Sequence, residues 1–498
     1  MKHDFRAQVA RLNDILCSVN LLRWDAKVTM PPGGSGARGH QIATLLELGR
    51  QALLNPKLTD AAEDLLHTAE SALDRKAAQT VLDAQAYHKR IPADLLRRQT
   101  ETATIAAQAW AEARREKDFS IYQEHLQQSI EVAREYADAV GYEDHPYDAM
   151  VQVFEPSASR KKLDEFFDQL RDGILPILDK AMGGPAPRDD FLSRSYPIDA
   201  QKQFCEELVQ TLGYGKDRGR LDTSVHPHSV SFTRDDARIT TRWDETNPLV
   251  SIFGALHEAG HALYEMGVDP SLTRSVHATD LIKLYAAGGA SFGMHESQSH
   301  LIENHIGRTP EFWDVHFGRL RDTFPEQLRD VTASEFVAAV NRVTPRLIRL
   351  EADELTYELH IILRVRIEIG LMDGSLSVVD VPEAWNAAMA EDLGLAMPDD
   401  GVGCLQDAHW SSNYIGHFPT YSYGNSVAAQ LMDHITQTRP SFVSEVAKGD
   451  GAVLRETLGE LVWRHGRSLS PAELLAEIGQ SEFDPTAYLG YLGNKFAA

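Results

Sequence analysis

Five consecutive positions, 257–261, read HEAGH. On a helix, residues i and i+4 lie on one face with Cβ atoms roughly 5–6 Å apart, so His257 and His261 can direct two imidazoles at one ion. Zn2+ accepts such nitrogens at about 2.0–2.1 Å. Glu258 projects about 100° round the helix from His257, which suits it to exchange a proton with a water molecule rather than to ligate. Together these are the parts of metal-assisted hydrolysis, with Glu258 as general base. Gly260 costs a helix roughly 1 kcal/mol relative to alanine, so its place here predicts close packing or close approach of a substrate.

The same residues contain an ExxH, the motif of carboxylate-bridged di-iron helices. That site needs a second ExxH on another helix, and the sequence has none. A catalytic zinc has three protein ligands and a fourth position for water or substrate. Downstream, 293–298 reads GMHESQ at the start of a helix-like segment. His295 and Glu296 are both able to ligate, but neighbours on one helix diverge and only one can serve.

The elements that must position these groups are mostly helical. From Ser159 onward Leu163, Phe166, Phe167, Leu170 and Ile174 recur at three- and four-residue spacing, with Pro176 expected to kink that helix or begin another. Thr332 and Glu335 make a capping-box pattern ahead of Phe336, Val337, Val340 and Val343. After Pro345, residues 347–371 read as one long helix stopped at Asp373 and Gly374. Residues 230–243 instead alternate around Asp235 and Asp236, which predicts a hairpin. The Gly- and Pro-rich stretch 183–197 is either a linker or a surface loop. The expected organisation is a single domain over 1–498, divisible into an N-terminal helical lobe (1–182) and a catalytic lobe (198–498).

Composition narrows the partners. A formal charge of −24, from 73 acidic against 49 basic residues, argues against nucleic acid, whose binding depends on Lys and Arg. Cys17, Cys205 and Cys404 are too far apart for a disulfide framework or a cysteine metal site. The N-terminus lacks the apolar core of a signal peptide, and no run approaches a membrane span. The expectation is a soluble, cytoplasmic protein with no membrane partner.

With HEAGH followed by HESQ, the sequence resembles the carboxypeptidase Taq family of zinc metallocarboxypeptidases. The likeness continues in DARIT at 236–240, IRLEAD at 348–353 and GCLQDAHW at 403–410, with LRWD at 22–25, MPP at 30–32 and HPYD at 145–148. Three features depart from the family pattern. A His-Pro-Phe motif reads HPH at 226–228, GHFP precedes YSYG at 416–424, and the 34 residues between His261 and Glu296 contain an apparent insertion at 271–288. These bear on substrate preference rather than on the reaction.

The resemblance implies an all-α, predominantly helical fold of Glu-zincin type with a small hairpin or short sheet and a deep central cleft. It also implies a homodimer, one Zn2+ per chain (with Co2+ able to substitute), and removal of single residues from peptide C-termini with broad specificity. It favours Glu296 over His295 as third ligand. His409 and Tyr421, in matched motifs and carrying N–H and O–H donors, are the candidates for stabilising the oxyanion. A free substrate carboxylate suits the planar fork of arginine, with Arg349 the first candidate, Arg238 the second, and His226 a further substrate-binding residue. Arg349 could alternatively pair with Asp353 at i+4 on a helix. The hairpin could present an edge strand to an extended peptide. An endo-acting oligopeptidase, with the same zinc core but no carboxylate clamp, and a non-catalytic helical binding protein are the competing readings.

Overall fold

The computed structural model describes residues 2–449 and 451–497. The chain is predominantly helical with one three-stranded sheet. It divides into two units, each assembled from three separate stretches. The first comprises Met1–His88, Pro187–Val340 and Ala428–Glu482, and the second Lys89–Ala186, Asn341–Val427 and Phe483–Ala498.

In the first unit, the N-terminal helix Lys2–Val28 buries Phe5, Val9, Leu12 and Leu16 at helical spacing. They share a core with Leu58, Leu65 and Val81, and with Val276, Leu281 and Leu284 from the expected insertion. That segment is therefore part of the core rather than a loose loop. Asn13 and Asn20 of the helix hold it through the carbonyls of Ala278 and Ala286. The hairpin forms as predicted from β2 (His228–Thr233) and β3 (Asp236–Thr241), which pair antiparallel with a register shift between Ser231 and Thr233. Sequence alternation did not reveal β1 (Gly219–Thr223), which pairs parallel to β3 and makes it the central strand. Ala237, Ile239, Thr240 and Thr241 of this central strand are all buried.

The helix bearing HEAGH spans Pro248–Gly267 and is buried on nearly every face. Gly260 explains how it meets the HESQ helix, Phe292–His300. A Cβ at Gly260 would lie 2.5 Å from the Gln298 carbonyl oxygen and 2.7 Å from Ser299 Cα. Both are backbone atoms of the second helix, so there is no flexible side chain to yield. Gly260→Ala should therefore push the two helices apart and cost about 1–3 kcal/mol, as overpacking does. A melting curve unchanged from the parent protein would contradict this account.

In the second unit the helix expected from Ser159 onward spans Arg160–Met182 and does not end or restart at Pro176, because Leu163, Phe166, Leu170, Ile174 and Leu178 anchor both of its halves. The expected helix 347–371 starts later, at Glu354, and runs to Asp373. Asp353 is its N-cap, accepting the amides of Leu355 and Thr356, so residues 349–351 form only a short 3-10 turn. Gly374, at φ +80°, closes the helix as expected. In the first unit the Thr332–Glu335 capping box is present in both directions.

Candidate metal centre and its surroundings

The site begins where the HEAGH and HESQ helices touch. One donor atom each from His257, His261 and Glu296 lies within 4.8 Å of the other two. His257 Nε2 is 3.3 Å from Glu296 Oε1, and His261 Nε2 is 3.5 Å from Glu296 Oε2. Ligands around a tetrahedral zinc with bonds of about 2.05 Å stand roughly 3.3 Å apart. The two His–Glu296 separations match that spacing, so this donor set fits a divalent cation such as Zn2+.

The outer nitrogens are also held, which orients the inner ones. His257 Nδ1 lies 3.0 Å from Glu303 Oε2, and the other Glu303 oxygen accepts Arg308 at 2.8 Å. Glu303 belongs to a π-helical turn, Leu301–Ile306, that continues directly from the HESQ helix. His261 Nδ1 lies 2.6 Å from His295 Nδ1, and His295 Nε2 lies 2.9 Å from Glu265. Thus His295 sits behind His261, on the opposite side of that ring from Glu296. A second donor set, His257 with His300 and Glu303, shares His257 but uses a carboxylate already paired with Arg308.

Glu258 is buried beside this cluster. Burial chiefly, with help from the Glu296 and Glu303 carboxylates, pushes its pKa up to about 8 against the pull of His257 and Lys27. Burial also opposes ionisation of Glu303, but His257 and Arg308 outweigh it and hold the group at about 2. Desolvation disfavours charge on His257, yet Glu296, Glu303 and Glu258 together raise its pKa well above the ordinary value. The cluster is rich in carboxylate and short of positive charge, a balance that a divalent cation would redress.

The second unit contains another cluster. Arg349 is almost fully buried and pairs not with Asp353 but with Asp407, through Nε at 3.3 Å and a terminal nitrogen at 2.7 Å. Its remaining terminal nitrogen donates to Tyr357 at 2.9 Å. The i+4 alternative fails because the two residues are not on one helix. Arg364 takes the other oxygen of Asp407 at 2.6 Å, so two guanidiniums face one carboxylate. His409 Nε2 lies 3.3 Å from the Tyr421 hydroxyl, and Arg349 lies over the Tyr421 ring at 5.2 Å.

Arg238 is differently engaged. Asp236 occupies its fork with two contacts of 2.9 Å, and the guanidinium is sandwiched between Trp24 and Phe232 at 4.6 and 4.8 Å. The His226 carbonyl accepts Ser224 and the His228 ring. Burial, then the nearby Lys27 ammonium, lowers His228 to about 4, so this imidazole is neutral. β2 is an edge strand, although Asn20 and Cys17 already bind the carbonyls of Ser231 and Phe232.

The structure thus groups His257, Glu258, His261 and Glu296 in one unit, and Arg349, His409 and Tyr421 in the other. Sequence reasoning passed over Glu265, Glu303, Arg364 and Asp407. Glu265 had a legible signal: it follows His257 and His261 at the same four-residue step on one helix face. Glu303 lies two turns beyond Glu296, but its reach to His257 depends on the π-helical turn.

A helical chain with two HExxH imidazoles and a carboxylate from a second helix is of the metallopeptidase class. The family model for carboxypeptidase Taq (M32) metallopeptidases matches residues 4–496, and the chain belongs to that family. It is 34% identical over 501 residues to carboxypeptidase 1 of Bacillus subtilis, covering 99% of this chain and 97% of that protein. Thermostable carboxypeptidase 1 of Pyrococcus furiosus is 32% identical over 485 residues, covering 96% and 94%. The crystal structure of the M32 carboxypeptidase from Deinococcus radiodurans superposes with a TM-score of 0.94 at 33% identity, covering 100% and 99% of the two chains. The protein is a metallocarboxypeptidase. Among the described residues no helix is long and apolar enough to cross a membrane.

Proposed function

We propose that the protein binds one zinc ion through His257, His261 and Glu296 and removes single residues from peptide C-termini with broad specificity, with Glu258 as general base. The observation carrying this reading is the convergence of the three donor atoms within 4.8 Å beside the buried carboxyl of Glu258 on the same helix as His257 and His261. When bound, zinc supplies Lewis acidity to the scissile carbonyl and to water. Glu258 accepts the proton of the attacking water on its carboxylate and returns it to the leaving amine. Its raised affinity for a proton suits both halves of that exchange. His409 and Tyr421 donate to the developing oxyanion. Arg349 recognises the substrate carboxylate, a role supported by the excess of one positive charge when it and Arg364 share Asp407. The assignment extends to a cytoplasmic protein that forms a homodimer, and sedimentation of the purified protein checks the dimer.

Mass spectrometry of a peptide ladder after incubation with the zinc-loaded protein tests the reading. Free-acid peptides should shorten one residue at a time while their C-terminal amides persist. Efficient internal cleavage of amidated peptides would refute the carboxylate clamp and move the protein to the endo-acting oligopeptidases. Arg349→Lys keeps the charge but loses the fork, so it should raise KM for free-acid peptides with zinc content unchanged. Unaltered kinetics in that variant would pass the role to Arg238. For the third ligand, Glu296→Ala should cost more zinc affinity than His295→Ala. The reverse order would exchange the two assignments.

A further inference from the structure

Glu265 sits one helical turn beyond His261, buried, and is held as an acceptor from several directions. The Gly288 amide donates to both of its oxygens, at 2.9 and 2.8 Å, and the Gly289 amide to one at 3.1 Å. The turn supplying these amides has little room for side chains. A Cβ on Gly288 would lie 2.6 Å from a Val268 methyl, and one on Gly289 would collide with the His295 ring. Arg467 holds the turn from behind, donating to the Gly289 carbonyl at 2.5 Å. The two glycines therefore let backbone N–H groups reach a carboxylate while the His295 imidazole packs close against Gly289.

That arrangement favours one set of hydrogen positions along a chain of four nitrogens. A carboxylate only accepts, so the 2.9 Å contact with His295 Nε2 requires hydrogen on that nitrogen. A neutral imidazole with hydrogen on Nε2 has a lone pair on Nδ1. With His295 in that tautomer, the 2.6 Å contact between His295 Nδ1 and His261 Nδ1 places the hydrogen on His261. With Nδ1 of His261 protonated, its Nε2 presents a lone pair toward Glu296 and His257. We propose that Glu265, acting through His295, is a positioning residue that locks His261 in the metal-binding tautomer. The proposal rests on the zinc reading above. It also gives the histidine of HESQ a function that does not require it to ligate, and it assigns the end of the 271–288 segment the task of holding Glu265.

The test measures zinc affinity by chelator competition, and 15N imidazole shifts on the metal-free protein. His295→Phe keeps a ring in place but removes both nitrogens, and should lower zinc affinity by about 10–100-fold, the usual consequence of losing an outer partner of a ligating histidine. Glu265→Gln keeps an acceptor oxygen but loses its charge, and should cost about tenfold. Because Glu265 acts only through His295, the double variant should be no worse than His295→Phe alone. In the metal-free protein His261 should carry its hydrogen on Nδ1, and Glu265→Gln should populate the other tautomer. His295→Phe affinity within twofold of the parent, additive losses in the double variant, or an Nε2-protonated His261 in the parent would each overturn the relay. His257→Ala separates the two readings. Stoichiometric tight zinc in that variant would place the metal elsewhere and remove both readings, whereas its loss beside an unaffected His295→Phe would remove the relay alone.

Discussion

Glu258→Gln is expected to lower kcat by about 10²–10⁴-fold while zinc remains bound, the range that a positioned general base supplies. The substitution keeps the volume and one carbonyl oxygen of the side chain but removes its ability to carry a proton. Glu258 is not among the residues whose donors converge, so metal content should be unchanged. The surroundings strengthen the expectation. Burial pushes this carboxyl up to about 8 in the metal-free protein, a direction that favours proton uptake relative to an exposed glutamate. Steady-state kinetics on a free-acid peptide, with zinc measured in the same sample, decides the matter. Turnover within tenfold of the parent, at full zinc occupancy, would end the assignment.

The second large effect is on stability. Asp407→Asn should destabilise the protein by about 3–5 kcal/mol, because removing one partner leaves buried charges uncompensated. Asp407 is the shared carboxylate of Arg349 and Arg364, and the Arg364 side chain is wholly inaccessible to solvent. With asparagine there, two buried guanidiniums face each other with no anion between them. The wild-type pH dependence has a definite sign. Burial raises the Asp407 pKa, but Arg349 and Arg364 outweigh it and hold the group well below the ordinary value. Its contribution is therefore complete above the unfolded-state pKa, about 3.9, and is lost as pH falls through the depressed folded value. Urea midpoints at pH 7 for the two proteins provide the measurement. Equal midpoints would show that the cluster is neutralised by some other group.

The consequences for function differ between the two clusters. In the candidate metal centre the converging donors come from two helices, His257 and His261 from one and Glu296 from the other, and the tight contact at Gly260 brings those helices together. In the Arg349 cluster the partners are far apart in the chain: the guanidiniums come from 349 and 364 and the carboxylate from 407. Arg238, the alternative for substrate recognition, already has its fork filled by Asp236 and both faces covered by aromatic rings. Arg349 also has contacts, but its carboxylate is shared with a second arginine, so a substrate anion has charge to balance there.

Much of this was readable before any coordinates. The four-residue step from His257 to His261 is a property of the helix itself, so it survives translation from sequence to space unchanged. The capping box at Thr332 and the hairpin around Asp235 were legible for the same reason, since each is made by residues a few positions apart. Sequence spacing also contained Glu265, one more turn along the same face. The missing element was a reason to look for a partner behind His261 rather than for a further ligand.

Other features depend on packing. β1 has no alternation of its own and exists because β3 offers it a parallel edge. The helix after Pro345 was placed too early because Asp353 turns inward to cap it, and that shift moved Arg349 off the helix and away from its supposed partner. Glu303 reaches His257 only because the chain widens into a π-helical turn, a change that side-chain pattern does not announce. The division of labour between His295 and Glu296 is the clearest case. The sequence by itself determined that two helices would offer two imidazoles, a carboxylate and one further imidazole, because these are matters of residue type and helical period. Only the tertiary structure decided that Glu296 faces the open side of His261 and His295 its back. That choice depends on how closely the helices approach at a residue with no side chain, and on a glycine turn that anchors Glu265 behind them.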